Sequence, residues 1–366
     1  MTQRPFARGH PALFAALALS LGAGAAPAQP AEAPSRSATD SLAARWEVAG
    51  VPAVNYDSDE GFGYGAAVEI YRYGEDPPYT FTLRPTLRLT TGGRRELTLF
   101  FDAPHLLPTG WRLTAFAGME RHTATPYYGV GNDVPYDPSL DAEDGPDPRY
   151  YRYGRTRMRV SADLQRRVGE TPLRVLVGAG AVRVGLDLRP GDRGTTLLAE
   201  ELAAAGEGPP EGWHNHVRGG LVWDSRDREV GTRRGAWSEL LVQRVDDALG
   251  SESDYTRWTL TDRRYFPLTG RLVFANRLLL QGTAGNAPFH ELQVVQSSFE
   301  QEEGLGGAKT LRGIPRNRYT GDGLFLWNVE LRWRAFDFDA LGRPFHVVLS
   351  GFVDSGRVWA DGVDGG

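Results

Sequence analysis

The stretch YTFTLRPTLRLT, Tyr79 to Thr90, is apolar at every odd position and polar at every even one. Side chains two residues apart share a face only in an extended chain, so this stretch reads as a strand with one oily and one wet face. In a soluble sandwich the oily face packs on a core. In an outer-membrane barrel it meets lipid while the polar face lines the lumen. One strand fits either fold.

The ensemble separates them. Thirteen such segments follow one another between residues 51 and 360. Most exceed the ~5–6 residues usual in globular sheets and suit the ~9–11 that cross a bilayer at a tilt. Short turns at 74–78, 106–110, 169–172, 267–270 and 339–344 alternate with longer loops at 122–149, 187–212 and 283–321. Short turns at one rim and long loops at the other is the outer-membrane arrangement. The expected fold is therefore all-β, a transmembrane antiparallel β-barrel. Its odd strand count, followed at once by the end of the chain, predicts a barrel open and incomplete at its C-terminal end, because single-chain bacterial barrels close with even numbers.

Ahead of the barrel, Arg4, Arg8 and His10 precede an apolar run, Ala12 to Ala25, that ends in Ala26-Pro27-Ala28. This is the pattern of a secretory signal peptide, residues 1–28, and the run falls short of the ~20 residues of a membrane span. An Ala/Pro/Ser-rich lead, 29–47, is expected to be disordered, with the barrel domain at 48–366. The outer membrane of a Gram-negative-type bacterium follows as the expected location and its lipid as a partner. A net charge of −5 argues against a nucleic-acid partner, and the absence of cysteine excludes thiolate metal sites and disulfides.

Candidate chemistry is sparse, and no cofactor is expected. GLGGAKT (304–310) lacks the spacing of a phosphate loop and has no helix pattern after it. GFGYGA (61–66) and GAGAVRVG (178–185) lie within strands, where glycine relieves crowding. His214 and His216 share a strand face and could pair on a metal, but no third ligand is evident, so polar lumen lining is the plainer reading. Asp137, Asp141, Glu143 and Asp144 could hold calcium, or belong to a solvated loop. No serine sits in a nucleophile-elbow context.

The remaining feature is TLRGIPRNRY, 310–319, with Arg312, Arg316 and Arg318 in ten residues. In GLFLWNVELRWR after it, odd positions are apolar, which turns Asn328, Glu330, Arg332 and Arg334 to the lumen. SGFVDSGRVW then puts Phe352, Asp354 and Gly356 on one side. Inward Glu330 and Asp354 are thus available to Arg312 if its loop folds back into the lumen, and a charged, bidentate contact would fix that loop.

These same residues carry a family resemblance. Leu311, Arg312, Gly313 and Ile314 resemble the loop tip of the BamA/TamA outer-membrane assembly-factor superfamily, with Ile314 in place of its usual aromatic. FVDSG, Phe352 to Gly356, is similar to the F-x-D-x-G motif of the strand that receives this tip. WDSRDREVGTRRG resembles the family's D-x-R-D turn through Asp224, Arg226 and Asp227, and YYGVGND (127–133) is of the same type. The resemblance implies about sixteen strands, with the arginine loop between the eleventh and twelfth. It implies assistance to the insertion or translocation of outer-membrane proteins or other components, with unfolded clients and a separate periplasmic partner, since family members usually carry POTRA domains before the barrel. The alternatives are a passive barrel serving as surface antigen, receptor or conduit, and an outer-membrane hydrolase. The last would need a Ser/His or Asp/His constellation at one rim.

Overall fold

A computed structural model describes residues 45–360, apart from 58–59, 75–77, 108–109, 143–144, 146, 190–193, 230, 300 and 341–342. The expected signal peptide, most of the lead, the last six residues, and Glu143 and Asp144 of the acidic loop lie outside the described residues.

Thirteen strands build one wall: β1 (Trp46–Asp57), β2 (Gly61–Arg72), β3 (Phe81–Thr90), β4 (Arg95–Leu107), β5 (Trp111–Pro126), β6 (Arg152–Arg167), β7 (Leu173–Asp187), β8 (His216–Asp224), β9 (Gly235–Val245), β10 (Tyr255–Pro267), β11 (Leu272–Gly285), β12 (Gly323–Ala340) and β13 (Arg343–Trp359). Each pairs antiparallel with the next, so the sheet is a meander with β1 and β13 as its edges among the described residues. These are the thirteen segments expected. The first begins earlier than read, at Trp46, so Trp46 and Glu47 belong to the wall and not to the lead. Two-residue strands at Gly212–Trp213, Val294–Val295 and Glu302–Glu303 decorate the long loops.

The alternation works as expected. Along β10 the odd residues Tyr255, Arg257, Thr259 and Thr261 are buried, whereas Trp258 and Leu260 are exposed. Along β12 Leu324 and Leu326 are buried and Trp327, Leu331 and Trp333 are exposed. An inward face rich in Arg, Thr and Gln behind an outward face of Trp, Leu and Val is the inverse of a soluble protein, and it suits lipid outside and water inside. Tyr79 breaks the pattern: it precedes β3, and its hydroxyl donates to Asp102 at 2.8 Å. Alternation constrains a residue only where the chain is extended.

Inward glycines make room. A Cβ at Gly178 would overlap the Asp163 carboxylate, and one at Gly180 would meet the His216 ring at 2.5 Å. The strand interiors thus admit large polar groups opposite them. The sequence predicts no helix, but the long loops contain short ones. α1 (Leu197–Ala205) lies in the loop after β7, with the Thr196 hydroxyl accepting from Ala199 N and Gly206 closing it at φ 69. A capping threonine, a run of Leu, Ala and Glu, and a terminal glycine are its legible signal.

Candidate functional site

The loop of 286–322, between β11 and β12, occupies the lumen in two arms. The first starts with α2 (Phe289–Leu292) and is held by wall strands from the N-terminal part of the chain. Tyr153 on β6 donates its hydroxyl to Gln293 Oε1 at 3.0 Å, and Glu239 on β9 accepts from Ser298 N at 2.9 Å. Arg218 on β8 donates to Gln296 Oε1 at 3.2 Å and to Ser297 O at 3.1 Å while gripping Asp163. At the arm's end Phe299 meets Phe100 of β4 edge to face, with ring centroids 5.2 Å apart. At its start Glu291 is buried between Arg157 and Arg257 and accepts from the Tyr255 hydroxyl at 2.9 Å.

The second arm carries the arginines, and its shape is set by glycine and threonine. Gly304, Gly306, Gly307 and Gly313 have φ of 29, 121, 91 and 85, the left-handed region that favours glycine. Thr310 is fully buried: its hydroxyl accepts from Gly306 N at 2.9 Å and lies 2.8 Å from Gly306 O, tying the turn to itself. Leu305 and Leu311 then face outward from the arm into an apolar cluster with Leu279, Leu324, Leu326 and Val358 of the wall. Gly356 completes the seat, because a Cβ there would stand 3.0 Å from Leu305 and 3.1 Å from Leu311. Ile314 remains 38% exposed, so the tip is seated by Leu311 and not by the residue after Gly313.

Arg312 is the polar half of the lock. Its backbone N–H and Nε both reach Asp354 Oδ2, at 3.0 and 2.8 Å, and Nη2 reaches Oδ1 at 2.7 Å. Nη1 lies 3.4 Å from Glu330 Oε2, and the guanidinium sits 3.5 Å above the Phe352 ring. Burial works against its charge, but the bonds to Asp354 and then Glu330 prevail, and its pKa lies above the ordinary value. All four partners foreseen for the loop, Glu330, Phe352, Asp354 and Gly356, are therefore gathered at its tip. Alternation turns Asn328 to the lumen but does not single it out as a partner. Its Nδ2 donates to Asp354 Oδ1 at 2.8 Å and to Thr310 O at 2.7 Å, so one amide ties carboxylate to turn.

Arg318 serves a different contact. It lies 5.3 Å from the Tyr128 ring centroid and 5.8 Å from that of Tyr136, and donates Nη2 to Val134 O at 2.7 Å. This fastens the loop of 127–151 over the arginine arm. Asn132 of that loop accepts from Val358 N at 3.0 Å and donates to Val358 O, so its side chain pairs with β13 as a strand residue would.

Asp224, Arg226 and Asp227 stand apart, in the turn between β8 and β9. Asp224 accepts from Arg226 Nε and Nη2, both at 2.8 Å, and Asp227 Oδ1 accepts from Arg233 N and Arg234 N at 3.0 and 3.2 Å. The turn folds onto the wall where Arg112 takes Glu229 at 2.7 Å and Asp102 at 2.8 Å.

The other candidates do not assemble. His214 lies outside the strand that contains His216, and its ring stands against His290, with centroids 5.0 Å apart. His214 Nδ1 is 3.0 Å from Ser253 Oγ, a Ser/His pair. Its Nε2 has no hydrogen-bond partner among the described residues, so no carboxylate orients the ring, and burial lowers its pKa. Serine, histidine and an orienting carboxylate are therefore not joined in one hydrogen-bonded chain there among the described residues. Asp137 Oδ1 accepts from Ser139 and Asp141 pairs with Arg152 at 3.3 Å, while Glu143 and Asp144 lie outside the described residues. Asp246, Asp247 and Asp254 do cluster, but Arg244 fills the cluster, 2.7 Å from Asp254.

An antiparallel meander with apolar outer and polar inner faces, its interior occupied by an arginine-bearing loop, defines a protein of the transmembrane β-barrel class. Residues 83–364 match the Omp85 superfamily domain, and the chain belongs to that superfamily. The Outer membrane transporter CdiB of Dickeya dadantii (strain 3937) is 27% identical over 107 residues, which are 29% of this chain and 17% of that protein. Among solved structures, BamA from Haemophilus ducreyi lacking POTRA domains 1–3 superposes with a TM-score of 0.53 at 17% identity, over 86% of this chain and 58% of that one. CdiB from Escherichia coli gives 0.53 at 13% identity, over 87% of this chain and 53% of that one. The chain thus spans little more than half the length of the solved structures it matches.

Proposed function

We propose that this barrel assists the insertion or translocation of outer-membrane proteins or other components, without a catalytic residue and from the outer membrane of a Gram-negative bacterium. The observation that carries this reading is the lumenal lock, Arg312 on Asp354 with Leu311 against Gly356, which braces one section of wall from inside. The barrel's partners are outer-membrane lipid, unfolded clients, and a periplasmic partner for delivery. A conduit is the second reading, favoured by the similarity to a protein described as a transporter. Depletion in the native host, followed by profiling of the outer membrane and of the medium, tests the proposal. Loss of several unrelated barrels from the membrane is the expected result. An unchanged membrane with one missing secreted protein would favour the conduit.

A further inference from the structure

The β12–β13 hairpin projects past its neighbours at the rim of short turns, which faces the periplasm in such barrels. Trp333 is paired with Leu272, the first residue of β11, yet β12 runs on to Ala340, accompanied among the described residues by β13 alone. Phe336, Asp337, Phe338 and Asp339 are all exposed there, so both faces of the ribbon stand free.

A β-bulge decides what each face carries. Down to Trp333 the outward residues of β12 are odd-numbered, and strict alternation would continue with Ala335, Asp337 and Asp339. The register slips at Ala335: Arg334 is opposite Val348, but Phe336 is opposite Val347. One extra residue on one strand inverts the parity beyond it, so the even-numbered Phe336 and Phe338 join the face of Trp333, and Asp337 and Asp339 fall on the other. Phe338 is directly opposite Phe345, the rings stacked with centroids 5.5 Å apart, and Phe336 follows at 6.3 Å from Phe338. Arg271 holds the bulge, donating Nη1 to Ala335 O at 3.2 Å and reaching Asp337 at 3.5 Å.

We infer that this aromatic face is a membrane-interface anchor, seated among the phospholipid headgroups of the periplasmic leaflet, with Asp339 on the opposite face turned to water. Phe336, Phe338 and Phe345 are 55, 45 and 41% exposed, a contiguous apolar patch that calls for an apolar or interfacial partner. Continuity decides for lipid: the patch prolongs without a break the outward face of Leu331 and Trp333, which meets the bilayer. Depth agrees. Phe266, Phe274 and Trp333 form the aromatic belt at the foot of β10 to β12. With ~3.3 Å per residue along a strand tilted ~40°, Phe336 lies roughly 5 Å and Phe338 roughly 10 Å beyond that belt. A headgroup layer is ~5–8 Å deep, so Phe336 falls within it and the Phe338–Phe345 stack at its outer limit. The inference is independent of whether the barrel inserts clients or conducts them.

The chain has no cysteine, so a single one can be placed and spin-labelled without background. Phe336→Cys, Phe338→Cys and Asp339→Cys, each in the full chain, are labelled with a nitroxide in phosphatidylcholine nanodiscs. Power saturation then compares collisions with oxygen, which concentrates in lipid, and with a nickel chelate, which stays in water. Oxygen is expected to prevail at 336, less strongly at 338, and nickel at 339. Each label replaces one ring and leaves the other two. Heat-modifiable mobility confirms folding, and Val347→Cys, opposite Phe336 on the same face, carries the test if a phenylalanine variant does not fold. Nickel collisions as frequent at 336, 338 or 347 as at 339 would overturn the inference, since they describe a ribbon standing in water and open to a protein partner instead.

Discussion

Replacing Arg312 by Ala is the most direct probe of the lumenal lock. The change deletes two side-chain bonds to Asp354, the 3.4 Å contact to Glu330 and the face contact with Phe352, and keeps the backbone bond to Asp354. Charge-assisted bonds contribute ~1.5–3 kcal/mol each, so simple addition for the two Asp354 bonds gives ~3–6 kcal/mol. The arginine side chain is 24% exposed and Asp354 only 4%, so water replaces part of what the arginine loses but little of what the carboxylate loses. Breaking a fully buried pair costs ~3–5 kcal/mol, and the partial exposure brings the expectation to ~2–4 kcal/mol. Arg312→Lys keeps the charge but not the fork and is expected to cost about half as much. The assay is urea unfolding in detergent micelles, followed by tryptophan fluorescence, in a cycle with Asp354→Ala. A coupling of ~2 kcal/mol is expected. A coupling near zero, with the loop as protected from protease as in the parent, would refute the lock.

Two further outcomes follow from the same loop. Gly356→Ala places a methyl against Leu305 and Leu311, both buried, and is expected to cost ~1–3 kcal/mol by overpacking; an unchanged urea midpoint would remove Gly356 from the seat. The first arm is expected to loosen in mild acid through His290, whose Nε2–H donates to Pro210 O at 2.8 Å and whose pKa is lowered to about 3, first by burial. The unfolded imidazole takes its proton near ~6.5, so the stabilisation is complete above that pH and declines below it, by up to about 1.4 kcal/mol per unit. Glu291 beside it is held below the usual carboxylate range: burial opposes this, but Arg157 and Arg257 prevail. Its contribution is lost only below about pH 4.3, outside that window. Hydrogen-exchange protection factors of residues 289–299, which allow for the slower intrinsic exchange in acid, are expected to fall between pH 7.5 and 5 in the parent and to stay level in His290→Gln.

Much of this architecture is legible in a period of two. Alternation alone turns Asn328, Glu330 and Asp354 inward, and inwardness is enough to pair the two carboxylates with Arg312. It fixes the face of a residue but not its height, because height depends on register with a neighbour. Asn328 was therefore seen as lumenal and missed as the amide that joins Asp354 to Thr310. Contacts across the lumen, such as Phe299 on Phe100, carry no periodic signal at all, since nothing along either segment encodes how far a loop descends. Tyr79 departs for the opposite reason: the alternating pattern in the sequence runs past the start of the strand that enforces it.

The loop's two arms bind different generations of the wall. The anchors of the first lie on strands made before it, through Phe100, Tyr153 and Glu239, and the lock of the second lies on strands made after it, through Asn328, Asp354 and Gly356, with Leu279 of β11 packed against both arms. Mechanically it is a tie-rod across the bore: early and late staves are coupled through a single span of chain. Squeezing the barrel out of round must stretch that span or break an anchor. Compliance is then greatest in the staves farthest from its two footings.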